Sequence, residues 1–423
     1  MEGCVDMKEV IRNWLQGAVP RMVELQRLLT AYPAIAPESG GTGEGKKAEA
    51  LLKWLQAHTP FIVETYPVAD PRVPEGFRPN VLATLPGKNR RRALWVLTHL
   101  DVVPPGDLSQ WSTDPFVLVE KEGRLYGRGT EDNQQGMVSS IFAALALAEQ
   151  NLIPPLDVKL LFVSDEEVGS TYGIKALLKE YPTIFGSADF FLVPDGGSPD
   201  GSILEIAEKS LLWVKFVVEG KQVHASLPHL GKNAFLAGSD LLLRLVKELS
   251  ARYAEKDPLF DPPLSTFSPT KKEANVPNVN TIPGLDIFYF DCRVLPRYPL
   301  DEVLATMDAL SREVEREYGV TVKREIIQKN ESAATPSNSP LVRRLKEVLQ
   351  EVRGIEGKEV GIGGNTVGVF LRQKGWDTIV WSTLEERAHM PNEYCIIENM
   401  VKDSEVMAQL MGTSILGYPP YES

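Results

Sequence analysis

Ala93-Leu94-Trp95-Val96-Leu97-Thr98-His99-Leu100-Asp101 decides how this chain reads. The apolar run Ala93 to Leu97 reads as a buried strand. It delivers an imidazole at its C-terminal end, with a carboxylate two residues on that can orient the second ring nitrogen. This arrangement suits a metal ligand with its outer partner, although a strand-end histidine can equally be a hydrogen-bonded structural residue.

Other strand-like runs end in the same way. Val158-Lys159-Leu160-Leu161-Phe162-Val163 leads into Ser164-Asp165-Glu166-Glu167-Val168-Gly169, and Phe190-Phe191-Leu192-Val193-Pro194 leads into Asp195-Gly196-Gly197. Asp132 follows Gly127-Arg128-Gly129-Thr130-Glu131 and precedes a helix-like stretch running to about Gln150. Far downstream, Thr378-Ile379-Val380-Trp381 leads through a polar loop to Ala388-His389-Met390-Pro391-Asn392-Glu393. In an open α/β sheet such ends line the ligand crevice, so two histidines and a set of carboxylates are expected on one rim. Imidazole and carboxylate are suitable zinc ligands, and two ions sharing a bridging carboxylate can clamp the oxygen of a carbonyl under attack. Of the neighbours Glu166 and Glu167, one can bind metal while the other serves as general base.

These segments together resemble the zinc-dependent exopeptidase and deacylase family, which includes aminoacylase, acetylornithine deacetylase, succinyl-diaminopimelate desuccinylase, glutamate carboxypeptidase and cytosolic dipeptidase. The resemblance extends from about residue 20 to the C-terminus. It implies that His99, Asp132, Glu167, Asp195 and His389 bind two divalent ions, with Asp132 bridging. The ions would be Zn2+, with Co2+ or Mn2+ as alternatives. It further implies that Glu166 is the base, that Asp101 holds His99, and that the peptide bond after Asp132 is cis as in many relatives.

Composition sets the outer limits. A chain of 423 residues exceeds what one core usually supports, and 43% hydrophobic with 24% charged residues is ordinary globular protein. The net charge of −12 argues against nucleic acid or an anionic membrane as partner. No apolar stretch reaches the roughly 18 residues that span a bilayer. Met1-Glu2-Gly3-Cys4-Val5-Asp6 lacks the features of a secretory signal, and Cys4, Cys292 and Cys395 form no disulfide or zinc-knuckle pattern, so the cytoplasm is expected.

The order of elements predicts an α/β fold. A mixed-sheet zinc-peptidase catalytic domain, residues 1–208 and 330–423, is interrupted by a smaller α+β lid and dimerisation domain, residues 209–329. Helices are expected at residues 10–29, with Pro20 kinking or breaking the first, and at 45–55, 234–249, 300–318 and 341–351. Strands are expected at 211–218, 286–290 and 320–327, and closure of the insert would exclude water from the site.

Within the insert, His224 in Gly220-Lys221-Gln222-Val223-His224-Ala225-Ser226 reads as an exposed loop histidine from its residues alone. The resemblance implies that it is offered across a homodimer interface to stabilise an oxyanion. His229 and His58 carry no such motif. Asn280, in Asn278-Val279-Asn280-Thr281, and Arg293, in Asp291-Cys292-Arg293, resemble the family's substrate-anchoring segments. A guanidinium fork suits a substrate carboxylate, while a surface arginine on an edge strand is the plainer alternative. Gly361-Ile362-Gly363-Gly364-Asn365-Thr366 lacks the lysine of a phosphate loop and the spacing of a dinucleotide site. By resemblance, Gly364 and Thr366 contact substrate, although Asn365 and Val367 depart from the family pattern.

Asp195 stands where many deacylases and carboxypeptidases have Glu and several dipeptidases have Asp. The substrate implied is a small N-acyl amino acid, as for the desuccinylase and deacetylase branch, or alternatively a dipeptide. A non-catalytic metal-binding or regulatory relative is the remaining reading, against which the presence of Glu166 stands.

Overall fold

The computed structural model describes residues 7–415; residues 1–6, including Cys4, and 416–423 lie outside it. The chain forms two compact units. The first comprises the chain up to Ile206, Thr335–Glu359 and the chain from Thr366, and the second comprises Ala207–Ala334 and Val360–Asn365.

In chain order the elements are α1 (Met7–Thr30), α2 (Gly45–His58), β1 (Ile62–Ala69), β2 (Phe77–Leu85), β3 (Asn89–His99), β4 (Val119–Lys121), β5 (Arg124–Tyr126), α3 (Gly136–Glu149), β6 (Leu156–Val163), α4 (Ile174–Glu180), β7 (Phe190–Gly197) and β8 (Ile203–Glu208). Next come β9 (Ser210–Glu219), β10 (Val223–His224), α5 (Ala234–Arg252), β11 (Thr266–Lys272), β12 (Thr281–Ile282), β13 (Leu285–Val294), α6 (Leu300–Tyr318) and β14 (Thr321–Asn330). The chain ends with α7 (Pro340–Arg353), β15 (Lys358–Ile362), α8 (Gly368–Arg372), β16 (Asp377–Ser382), β17 (Tyr394–Ile396) and α9 (Ile397–Gly412).

The large sheet has eight strands in the order β1-β2-β6-β3-β7-β16-β8-β15. Its centre, β6-β3-β7-β16, is parallel, whereas β1, β2 and β8 run antiparallel to their neighbours. The parallel strands are apolar over nearly their whole length because both faces are covered. Trp95, Leu97, Leu161, Val163, Phe191, Val193 and Val380 share one core. On the other side α3 is buried from Gly136 to Leu147, each fully buried leucine or phenylalanine contributing about 1.5–3 kcal/mol.

Connectivity fixes the functional end. From β3 the chain passes to β6 on one side and then to β7 on the other, so its winding reverses at β3. A crevice opens where winding reverses, outside the C-terminal ends of the strands. His99 is the last residue of β3 and pairs in register with Val163, the last of β6.

Helix α1 runs unbroken across Pro20, contrary to the break that proline suggests. Pro20 faces solvent, while Leu15, Ala18, Met22, Leu25 and Leu29 are buried on a helix that packs on α3 and α9. That packing outweighs the roughly 3 kcal/mol that an interior proline costs.

The second unit is built on an antiparallel sheet, β11-β13-β9-β14. Along β13 burial alternates strictly, as expected for a sheet with one covered face. Phe288, Phe290 and Cys292 join Leu212, Val214, Phe216 and Val218 of β9 under α5 and α6. Asp291 and Arg293 therefore occupy the opposite face.

Candidate metal centre

Five expected ligands come together in the first unit as two donor groups that share one residue. His99, Asp132 and Asp195 form one triad and Asp132, Glu167 and His389 the other, with the donor atoms of each lying within 4.8 Å of one another. His99 Nε2 lies 2.9 Å from Asp132 Oδ1 and 3.5 Å from Asp195 Oδ1. His389 Nε2 lies 3.2 Å from Asp132 Oδ2 and 3.1 Å from Glu167 Oε2. The two oxygens of Asp132 thus face different histidines, the disposition a bridging carboxylate needs.

Each of these five side chains is delivered by a strand end or a tight turn. Gly129, at φ +85°, turns the chain into the Asp132 segment, and a Cβ there would lie 2.6 Å from Val102 Cγ1, so only glycine fits without displacement. The Asp132–Asn133 peptide is cis. Asn133 Nδ2 donates to Pro194 O (2.7 Å) and to Asp195 Oδ1 (2.6 Å), which sets the Asp195 carboxylate.

Around the ligands, buried carboxylates receive backbone N–H groups. Asp101, 1% exposed, accepts from the N–H of Glu166 (3.1 Å) and of Glu167 (3.0 Å), and its own carbonyl lies 3.0 Å from His99 Nδ1. Glu393, fully buried, accepts from Arg128 Nη1 and from the N–H groups of Gly129, Glu131 and Asp132 at 2.6–3.1 Å. Glu131 accepts from the N–H of Glu385 (2.5 Å) and of Arg387, on the loop carrying His389. Glu131 and Glu393 went unrecognised as supporting residues in the sequence. Their signal is faint, since an acid beside a ligand reads as one more solvated carboxylate.

Electrostatics agree with a cation site. Burial, reinforced by Asp195 and Glu167, raises the Glu166 carboxyl well above its ordinary range, and burial with nearby Asp132 raises Glu167 to about 7 against the hydrogen bond from His389. Burial opposes ionisation of Asp132, but hydrogen bonds from His389 and His99 outweigh it and hold the carboxyl low. His389 is pushed up to about 10 by Asp132 and Glu167. The two triads together hold three carboxylates and two imidazoles, a donor set that fits divalent ions. Glu166 belongs to neither triad. An adjoining cavity of about 310 Å³ is lined by Asp132, Asp195, Gly196, Gly197 and Glu205, among others.

The remaining expected site residues have their own settings. His224 is exposed, its Nδ1 2.7 Å from Ser226 Oγ, and it pairs with Thr281 across the short β10–β12 ladder. Asn280 O accepts from Ala225 N–H at 2.9 Å, which puts Asn280 at the end of that same ladder. Arg293 donates to Asp291 through Nε (2.7 Å) and Nη2 (3.1 Å) and to Gly363 O through Nη1 (2.8 Å). Three of the five N–H donors of its guanidinium are therefore engaged. Gly364 lies beside Asn365, whose Nδ2 donates to Lys209 O at 2.9 Å, and Thr366 Oγ1 accepts from Gly368 N–H at 3.0 Å.

Residues 95–413 match the family described as peptidase family M20/M25/M40. The chain belongs to this family. It is 38% identical over 407 residues to an uncharacterized metallohydrolase of Methanocaldococcus jannaschii, covering 93% of this chain and 99% of that one. It is 28% identical over 313 residues to a succinyl-diaminopimelate desuccinylase of a Sulfurovum species, covering 74% and 81% respectively. The crystal structure of aminopeptidase PepT from Bacillus cereus matches the fold with a TM-score of 0.76 at 18% identity, over 93% of this chain and 98% of that one. Family membership makes this chain a metal-dependent hydrolase of amide or peptide bonds, and the resemblance drawn from its motifs holds. Among the described residues, no helix is long and apolar enough to cross a membrane.

Proposed function

We propose that this M20 hydrolase cleaves the amide bond of a small amino-acid-derived substrate bearing a free carboxylate, acting as an N-acyl-amino-acid deacylase of the desuccinylase and deacetylase type. The observation that carries the reading is the pair of triads sharing Asp132, with Glu166 outside both and near enough to Asp195, His99 and Glu167 to feel their charges. His99, Asp132 and Asp195 would hold one ion and Asp132, Glu167 and His389 the other. The nitrogen and oxygen donors suit Zn2+, with Co2+ and Mn2+ as competitors. When bound, such ions supply Lewis acidity and a nucleophile at neutral pH.

The chain's own residues perform the proton work. Glu166 takes a proton from the attacking water and returns it to the departing amine nitrogen, so one C–N bond breaks as one C–O bond forms. Glu166 is the neighbour left for this role, because Glu167 belongs to a triad and Glu166 to neither. Asp101 fixes the base by holding the N–H groups of Glu166 and Glu167. Arg293 is the proposed carboxylate anchor and His224 the proposed oxyanion donor, with Asn280, Gly364 and Thr366 as further substrate contacts. Exposed Leu230, Phe235, Leu236 and Leu243 around α5 support self-association of the second unit into a homodimer, since apolar surface of this kind marks contact sites. The acidic net charge fits a cytoplasmic enzyme acting on small molecules.

Dipeptide cleavage is the second reading, supported by Asp195 at the position where several dipeptidases of the family have Asp. Amine release from N-succinyl-diaminopimelate, N-acetylornithine, other N-acyl amino acids and plain dipeptides, with zinc or cobalt restored after chelation, separates the two. Preference for acylated substrates is expected; preference for dipeptides with a free amino group would transfer the protein to the peptidase branch. Glu166→Gln should keep its metal and lose about 10²–10⁴-fold in turnover.

A further inference from the structure

The turn that carries Glu166 and Glu167 is held by more than Asp101. Asp165 adopts φ +67°, a region that non-glycine residues seldom occupy, and its N–H donates to Glu44 Oε1 at 3.1 Å. Glu44 is fully buried at the start of α2, where it is forked by Arg78 of β2, also fully buried. Arg78 Nε donates to Glu44 Oε2 at 2.5 Å and Nη2 donates to Oε1. Arg78 also reaches Asp165 Oδ1 at 3.7 Å and Asp70 Oδ2 at 3.6 Å. The other side of the turn closes locally, with Tyr172 N–H on Asp165 Oδ2 (2.9 Å) and Ser170 N–H on Asp165 O (2.5 Å).

Three successive N–H groups, those of Asp165, Glu166 and Glu167, are thus each received by a buried carboxylate. Asp101 belongs to the metal centre, but Glu44 and Arg78 come from the start of α2 and from β2 and, among the described residues, form no hydrogen bond or ion pair with a member of either triad. A buried ion pair is a poor device for stability alone, because desolvation consumes most of its attraction. It is a good device for geometry, since a bidentate fork fixes both oxygens of the carboxylate.

We propose that the Glu44–Arg78 pair is a positioning unit for the base turn, aiming Glu166 by tethering the N–H of the residue before it. The proposal rests on the assignment of Glu166 as the base. A displacement of ~1 Å at a reacting group can cost about 10²-fold in rate, so the unit should act on turnover rather than on substrate binding.

The test compares Glu44→Gln, Asp70→Asn and Glu166→Gln in the full metal-loaded chain, reading kcat, KM, bound ions per chain and the urea midpoint. Glu44→Gln retains the shape of the side chain but turns one acceptor oxygen into a donor, so Oε1, which takes Arg78 Nη2 and the Asp165 N–H, and Oε2, which takes Arg78 Nε, can no longer both accept. It should retain both ions and a KM within about threefold of the parent while kcat falls about 10–100-fold. Asp70→Asn, which disturbs Arg78 away from the turn, should lower the urea midpoint and spare kcat. If Glu44→Gln does not fold, Glu44→Asp preserves the charge pair while shortening the reach to Asp165, and the same loss of kcat is expected.

Parent-like kcat per folded, metal-loaded chain in the Glu44 variant would overturn the proposal, as would an equal loss in Asp70→Asn. Normal turnover by Glu166→Gln would instead remove the base assignment beneath it.

Discussion

Replacing Lys47 by Met should make the ion-free protein more stable at pH 7 and leave it nearly unchanged near pH 10.5. Lys47 lies in the first turns of α2 at 2% exposure. Burial pushes its ammonium down from 10.5 to about 8, against the opposing pull of Asp101, Glu44 and Glu393. Between about pH 8 and 10.5 the unfolded chain holds this proton and the folded chain does not, so the stability of the parent rises with pH across that window. Below it the full penalty applies. A separation of about 2.5 pH units at about 1.36 kcal/mol each gives roughly 3 kcal/mol at pH 7. Methionine fills a similar volume without a charge to desolvate. Urea unfolding of chelated parent and variant at several pH values from 7 to 10.5 measures the difference directly. It should shrink from roughly 3 kcal/mol toward zero, and a difference constant over that range would show that the ammonium is not the source of the effect.

Both histidines of the site, His99 and His389, are held above their ordinary range in the ion-free protein. Coordination requires neutral rings and ionised carboxylates, so loading should release the two ring protons at pH 7 together with a further share from Glu167, which is raised to about 7, and affinity should climb with pH toward about 10, where His389 loses its proton. Calorimetry in two buffers of different ionisation heat counts the protons, and a count of zero would contradict the assignment of these rings. Glu393→Gln should weaken ion binding about 10–100-fold in chelator competition, because the loop carrying Asp132 loses its anchor; parent-like affinity would make Glu393 a bystander. Arg293→Ala should raise KM for carboxylate substrates with little change in kcat, and an unaltered KM would remove the anchor. Leu243→Asp should convert the expected dimer to monomer in sedimentation, and a parent that already sediments as a monomer would dispose of the interface.

The sheet centre was legible because its strands are apolar on both faces and end in acids. The runs ending at Leu97, Val163 and Pro194 needed only extension by a few residues to become β3, β6 and β7. The antiparallel edge was not: β1 is mostly exposed or half-buried, and β2, buried from Arg78 to Leu85, includes Arg78 and Asn80 within it, so neither presents a clean strand pattern. Pro20 misled because local propensity weighs one residue while packing weighs a whole helical face. The five members of the two triads could be picked out from short motifs. Glu44, Arg78 and Glu393 could not, since what distinguishes Glu44 and Glu393 is the backbone of distant turns, and what distinguishes Arg78 is Glu44 itself, 34 residues away. Such partners are invisible to spacing along the chain.

The carboxylates that receive the backbone around the metal centre bear on how an ion would arrive. Glu393, Glu131 and Asp101 tie down the segments bearing Asp132, His389 and Glu167 through protein contacts alone. Little chain entropy then remains to be removed when an ion binds, in contrast to small domains that fold only around their metal. Stripped protein should retain its shape, and refilling should proceed at the pace of ion delivery and proton departure, with no refolding step between the empty and the working enzyme.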